Sequence, residues 1–122
     1  MLDPAFAALL RDLSRRNLLG RTVVLCCGEF GRTPKVNALG GRDHWPGGFS
    51  LAIAGGGLRG GLALGQTDPE ALKDPTRPTT IEDVHATVLT ALDLKPAKEN
   101  TAPATGRPIK LSAGKPIHEL LS

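Results

Sequence analysis

Two glycine-fenced segments carry the residues best suited to chemistry. The first, Gly28-Glu-Phe-Gly-Arg-Thr-Pro34, holds Glu29 and Arg32; the second, Gly40-Gly-Arg-Asp-His-Trp-Pro-Gly-Gly48, holds Arg42, Asp43 and His44. Carboxylate and imidazole are the ligands that hard or borderline divalent metals prefer, so Glu29, Asp43 and His44 are candidate metal ligands. Guanidinium groups match a phosphate or sulfate oxyanion, which makes Arg32 and Arg42 candidate substrate-binding residues. Glycines let the backbone approach a ligand closely. The combination is that of a metal-assisted oxyanion site. Each piece also has a plain structural reading. An Asp-His pair more often makes a loop hydrogen bond, Glu29 can be a solvated carboxylate, and single arginines are usually surface charges. Trp45 before Pro46 reads as a packing anchor. His85 lies one residue off the apolar stripe of a helix and reads as a helix-surface residue, and His118 has no partner at ligand spacing.

The elements that must position these residues follow from the hydrophobic pattern. Asp3-Pro4 suits a helix start, Phe6, Leu9, Leu10 and Leu13 form one apolar face, and Gly20 suits a left-handed stop. Thr22–Cys27 is a continuous β-prone run without polar alternation, as expected of a strand covered on both faces in a parallel sheet. Phe49–Ala54 reads as a second buried strand, and residues 62–64 as an edge strand or hairpin arm. Residues 66–78 are polar and proline-rich, so a surface loop is expected there. A second helix starts near Thr79-Thr80, with Glu82 and Asp83 at capping-box spacing and Ile81, Val84, Val88 and Leu92 as its stripe. Residues 95–105 read as linker, and Ile109, Leu111, Ile117, Leu120 and Leu121 as packing points of the tail. The fold class is α/β, with a few mostly parallel strands and two main helices, in a single domain spanning residues 1–122. In such sheets ligands gather beyond the carboxyl ends of the strands, where the two glycine-rich segments leave.

Composition narrows the function classes. Hydrophobic residues make up 40% and charged residues 22% of 122 residues, while three Phe, one Trp and no Tyr leave Leu, Val, Ile and Ala to form the core. Gly (15) and Pro (10) require much loop. The net charge of +3 is dispersed, with no run of five like charges and no aromatics interleaved with basic residues, which argues against nucleic acid. Adjacent Cys26 and Cys27 cannot bridge without strain and read as small buried hydrophobes. No signal peptide or membrane-length apolar stretch is present, so a cytoplasmic protein without membrane association is expected from the chain as written.

The runs Gly28-Glu-Phe-Gly-Arg-Thr-Pro34, Gly-Arg-Asp-His-Trp-Pro46 and Ile81-Glu-Asp-Val-His-Ala-Thr-Val-Leu89 resemble the bacterial family known as "domain of unknown function 1501". The resemblance extends from the first helix to about Leu94, and more loosely through Gly106-Arg-Pro-Ile109. That family resembles a branch of the alkaline phosphatase and sulfatase superfamily, whose fold is a large α/β sandwich with a two-metal site at the strand ends. The resemblance implies that Thr22–Cys27 is the strand ending in an Asp-His metal pair, replaced here by Glu29-Phe30. It implies that His44 is the later histidine ligand preceding a strand, with Glu29 and Asp43 behind it, for zinc, calcium or manganese. Nucleophile and further ligands come from earlier strands in the superfamily, and neither Ser14 nor Thr33 fits that role. The chain is thus expected to be the C-terminal part of a larger metal-dependent hydrolase domain acting on an oxyanion ester. It would be inactive alone, completed by a missing N-terminal half or a partner subunit, with an intact parent exported by a twin-arginine signal. The alternatives are a non-catalytic binding domain, favoured by Phe30, and a structural subunit that completes its sheet with another chain.

Overall fold

The computed structural model describes residues 2–70 and 74–122. The amphipathic start forms helix α1 (Leu2–Arg15), with Phe6, Leu10 and Leu13 half-buried on one face. The helix begins one residue before Asp3, so Asp3 sits inside the first turn rather than capping it. Pro4 is tolerated there because first-turn amides lack intrahelical partners in any case. The stop also differs from expectation. Asn17, at φ 56°, takes the left-handed position instead of Gly20. The Leu18 amide donates to the Leu13 carbonyl (2.8 Å) and the Asn17 amide to that of Ser14 (3.0 Å), which together close a Schellman motif.

After a 3₁₀ turn at Leu19–Arg21, strand β1 (Val23–Cys26) shares a two-stranded sheet with β4 (Ala52–Gly55). β4 starts and ends later than the expected Phe49–Ala54. Its end is extended by glycines: the Gly56 amide donates to the Thr22 carbonyl (3.1 Å), and a side chain at Gly55 would collide with that same carbonyl. The expectation of a strand covered on both faces is corrected, because Leu25 is 42% exposed. Cys26 is half-buried and Cys27 exposed, both as free thiols, so neither is the buried hydrophobe that was expected. Residues 62–64 form no strand. The loop expected over residues 66–78 includes residues 71–73, which lie outside the described residues; its described part is drawn together by a bridge between Gln66 and Thr76.

The mixed helix and strand content is α/β, but the expectation of mostly parallel strands is corrected. Strands β2 (Gly31–Arg32) and β3 (His44–Trp45) pair antiparallel, and so do β5 (Glu99–Thr101) and β6 (Pro108–Lys110). Short connections force this, since a parallel pair requires a crossover of a dozen or more residues. The expected linker over residues 95–105 therefore contains a strand. Its turn back is closed by Gly106, at φ 66°, whose amide donates to the Ala102 carbonyl (2.9 Å).

Helix α2 (Ile81–Ala91) has the capping box its sequence predicts: the Thr80 hydroxyl accepts from the Asp83 amide (3.1 Å), and the Asp83 carboxylate accepts from the Thr80 amide (3.4 Å). The C-terminal tail is bound to this end of the helix. Thr87, 1% exposed, donates its hydroxyl to the Asp83 carbonyl (2.7 Å) and accepts from the Ile117 amide (2.9 Å). The Ser112 hydroxyl donates to the Glu82 carbonyl (2.9 Å), and Asp83 also accepts from the Lys115 amide (2.7 Å). Gly114 lies so close to the Glu82 backbone that a side chain there would overlap it. Beside these contacts sit Ala86 and Leu89, the buried hydrophobic residues among those described.

The chain divides into two compact units: Met1–Val24 with Ala54–Leu62 and Thr80–Ser122, and Leu25–Ile53 with Ala63–Thr79. The first contains α1, α2 and the tail. The second contains the β2–β3 hairpin. Among the described residues no helix is long and apolar enough to cross a membrane.

Thr87→Val keeps the shape of the side chain but leaves the Ile117 amide without its acceptor. Urea denaturation of this variant should show a loss of about 1–3 kcal/mol, the usual cost of a buried donor left unsatisfied. The amide of Lys115, the Thr80 side chain and the Lys115 charge together hold the Asp83 carboxyl below its ordinary value of 3.8. A carboxylate depressed in the folded state adds stability that is fully present above its unfolded pKa and lost as the pH falls through the folded one. Stability should therefore decline below about pH 4, and an acid titration of Asp83→Asn followed by circular dichroism should lack that part of the decline.

Candidate functional site

All five candidate site residues lie in or beside one hairpin of the second unit. β2 and β3 are each two residues long, with Gly31 opposite Trp45 and Arg32 opposite His44. The connecting loop, residues 33–43, is organised by side chains rather than by a tight turn. The Asn37 side-chain Oδ1 accepts from the amides of Leu39 and Gly41 (both 3.0 Å), and its Nδ2 donates to Asp43 Oδ1 (2.9 Å). Thr33 closes the loop's base: its amide donates to the Asp43 carbonyl (3.0 Å), and its hydroxyl accepts from the Asp43 amide (3.1 Å).

The glycines serve close packing. A side chain at Gly31 would run into the Gly48 carbonyl, and a Cβ at Gly47 would lie 2.8 Å from the Trp45 indole nitrogen. Trp45 is half-buried over Gly47, in keeping with its reading as a packing anchor.

Residues opposite each other across a ladder share a face, so Arg32 and His44 are neighbours. Phe30 joins them. Its ring stacks on the His44 imidazole with centroids 3.8 Å apart and an interplanar angle of 28°. The Arg32 guanidinium carbon lies 5.5 Å from the Phe30 centroid, a cation–π distance. Both Arg32 and His44 are exposed. Among the described residues no hydrogen bond engages the imidazole nitrogens.

The other candidates are placed differently. Arg42 folds back on the hairpin, its Nη1 donating to the Thr33 carbonyl (2.8 Å) and to the Pro34 carbonyl. Arg32 gives one donor to the Arg42 carbonyl (3.0 Å). One oxygen of Asp43 is engaged by Asn37, and Glu29 lies exposed in the bend before β2. No group of three His, Cys, Asp or Glu that could hold a metal ion occurs among the described residues. Glu29, Asp43 and His44 therefore form no three-residue metal-binding group among the described residues. His85 and His118 are exposed elsewhere in the chain.

Two residues were undervalued by sequence reasoning. Asn37 could have been found, since asparagine before Ala-Leu-Gly-Gly is a loop-forming signal. Phe30 carried no such signal, because its partner is fourteen residues away.

The family model described as "Protein of unknown function (DUF1501)" matches residues 1–121, and the chain belongs to that family. No curated protein and no solved structure matches it.

Because Asn37 joins both arms of the loop through exposed hydrogen bonds, Asn37→Ala should cost about 0.5–1.5 kcal/mol in local stability. Amide exchange should accelerate at Leu39 and Gly41 and stay unchanged at Thr87 and Leu89.

Proposed function

We propose that this member of the family contributes one wall of a metal-dependent site that hydrolyses phosphate or sulfate esters, within an alkaline phosphatase- or sulfatase-like domain. The observation that carries the reading is the antiparallel pairing of Arg32 with His44, which sets a guanidinium beside an imidazole on one exposed face. A guanidinium binds a tetrahedral oxyanion through paired donors. An imidazole with free ring nitrogens is the commonest metal ligand among side chains.

The roles divide as follows. His44 binds the ion and Arg32 holds the ester's oxyanion. Arg42 assists by keeping the loop closed through its backbone contacts. The nucleophile and remaining ligands are supplied from outside the described residues, by another segment of the intact domain or by a partner subunit. When bound, zinc, calcium or manganese supplies Lewis-acid polarisation of an ester oxygen. The chain alone is inactive on this reading, and its bacterial parent is exported.

A second reading, a binding domain that keeps the fold without catalysis, draws on the engagement of Asp43 by Asn37 and of Arg42 by backbone carbonyls. It assigns the hairpin to partner recognition.

Metal analysis separates the two. The purified chain, equilibrated with zinc, calcium and manganese in turn, should retain one of them, and His44→Ala should lose it. Equal metal content in wild type and variant, or none in either, would sink the hydrolase reading and leave the binding domain.

A further inference from the structure

We propose that the outer edge of β5 is a docking site for an extended acidic strand from a partner protein. The inference concerns the β5–β6 hairpin, which the hydrolase reading leaves without a role, and it does not depend on metal binding.

The hairpin has one open edge and one closed edge. The Leu111 amide donates to the Lys98 carbonyl and the Ala102 amide to the Arg107 carbonyl (both 2.9 Å), continuing the register in which Asn100 faces Ile109. Bonded and non-bonded pairs alternate along an antiparallel ladder, so Glu99, Thr101, Pro108 and Lys110 turn their backbone polar groups outward. On β6 the outward position at Pro108 has no N–H, which closes that edge to a further strand. On β5 both outward residues keep a donor and an acceptor. Among the described residues neither amide meets a backbone acceptor outside the ladder, and Glu99 and Thr101 are exposed. The base of the hairpin is held in place by Ser112, whose amide donates to the Pro96 carbonyl and whose hydroxyl donates to the Glu82 carbonyl of α2 (both 2.9 Å). The open edge is therefore presented on a fixed support, which reduces the cost of ordering it on binding.

Charge identifies the strand that fits. Residues 95–115 hold five basic residues and one acidic residue, whereas the rest of the chain holds ten basic and eleven acidic. The positive charge of the whole chain thus belongs to the hairpin and its flanks. The register places Lys98, Asn100, Arg107 and Ile109 on one face, all exposed and without an acid, and Glu99 with Lys110 on the other. Opposite Arg107 stands only the methyl group of Ala102, so a guanidinium reaching across the ladder meets no bulky side chain on the β5 side. A strand laid along β5 fits best with an acid at every second position, on the face of Lys98 and Arg107, and uncharged residues between, beside Glu99. A nucleic acid or sulfated glycan can match the charge but cannot continue the backbone ladder.

The test uses the full chain and a short synthetic peptide alternating glutamate and threonine, followed by calorimetry and amide hydrogen exchange. The peptide should bind and slow exchange at the Glu99 and Thr101 amides while leaving that of Lys110 unchanged. A control peptide of the same composition, with its glutamates in one block, should bind roughly tenfold more weakly, and Lys98→Gln combined with Arg107→Gln should weaken the alternating peptide by a similar factor. Methylating the backbone nitrogen of every second peptide residue should weaken binding in one of the two possible patterns and spare the other, because alternate amides of an added strand point away from β5. This arm needs no variant of the protein. No binding of the alternating peptide, equal affinity for the block peptide, or equal affinity for the two methylated peptides would each overturn the inference.

Discussion

The attachment of the tail to the first two turns of α2 is the contact on which the larger unit depends. Apolar burial is small there: Ala86 and Leu89 are the buried hydrophobic residues described, and a fully buried leucine contributes about 1.5–3 kcal/mol. What distinguishes the contact is satisfaction of polar groups. The Thr87 hydroxyl acts in both directions, donating within the helix and accepting from the tail. Ser112 does the same between the Glu82 carbonyl and the Gly114 amide. Asp83 joins its own helix cap to Lys115. Each of the part-buried Thr87 and Ser112 bonds adds only about 1 kcal/mol net, but breaking one strands a shielded group at up to three times that cost. The helix start and the tail thus form or fail together.

How much of this was legible depends on whether the determining contacts are local. The start of α2 was readable because Thr80 and Asp83 meet within one turn, and the apolar face of α1 because Phe6, Leu10 and Leu13 recur at helical spacing. The end of α1 was missed by three residues, since Asn17 satisfied the left-handed position before Gly20 was reached. β5 was invisible: Glu99-Asn-Thr101 is polar throughout, and its strand character comes only from pairing with Pro108–Lys110. β1 and β4 were found in place but not in character. A continuous apolar run predicts burial on both faces, and Leu25 remains exposed.

At the hairpin, the sequence identified the right residues and only part of their arrangement. Two glycine-fenced runs separated by a loop come together as β2 and β3, and glycine is required where Gly31 faces the Gly48 carbonyl and Gly47 faces the Trp45 ring. Residue type did not reveal which arginine faces outward. Both have the same chemistry, yet Arg42 is drawn onto the carbonyls of Thr33 and Pro34 while Arg32 lies over Phe30. The loop left those carbonyls without backbone partners, and a guanidinium with five donors is the side chain best able to satisfy them.

Exposure sets the final constraint on what this hairpin can do. A guanidinium and a unit negative charge 4 Å apart attract by about 1 kcal/mol in bulk water and about 4 kcal/mol at the effective dielectric of a protein surface. Each preorganised donor in an oxyanion site characteristically supplies about 2.7–4 kcal/mol at the transition state. Arg32, solvated as it is in this chain, falls at the low end of the first range. A hydrolase built on this face therefore needs further protein over β2 and β3 to exclude water. The second unit has surface suited to that purpose: Leu39 at the loop tip is 95% exposed and Val36 50%. Covering that tip would bury apolar area, and protein over the β2–β3 face itself would lower the dielectric around Arg32 and His44. On the proposed reading, assembly and catalysis at this hairpin are therefore a single requirement: the surface that completes the ligand set is also the one that makes Arg32 strong enough to matter.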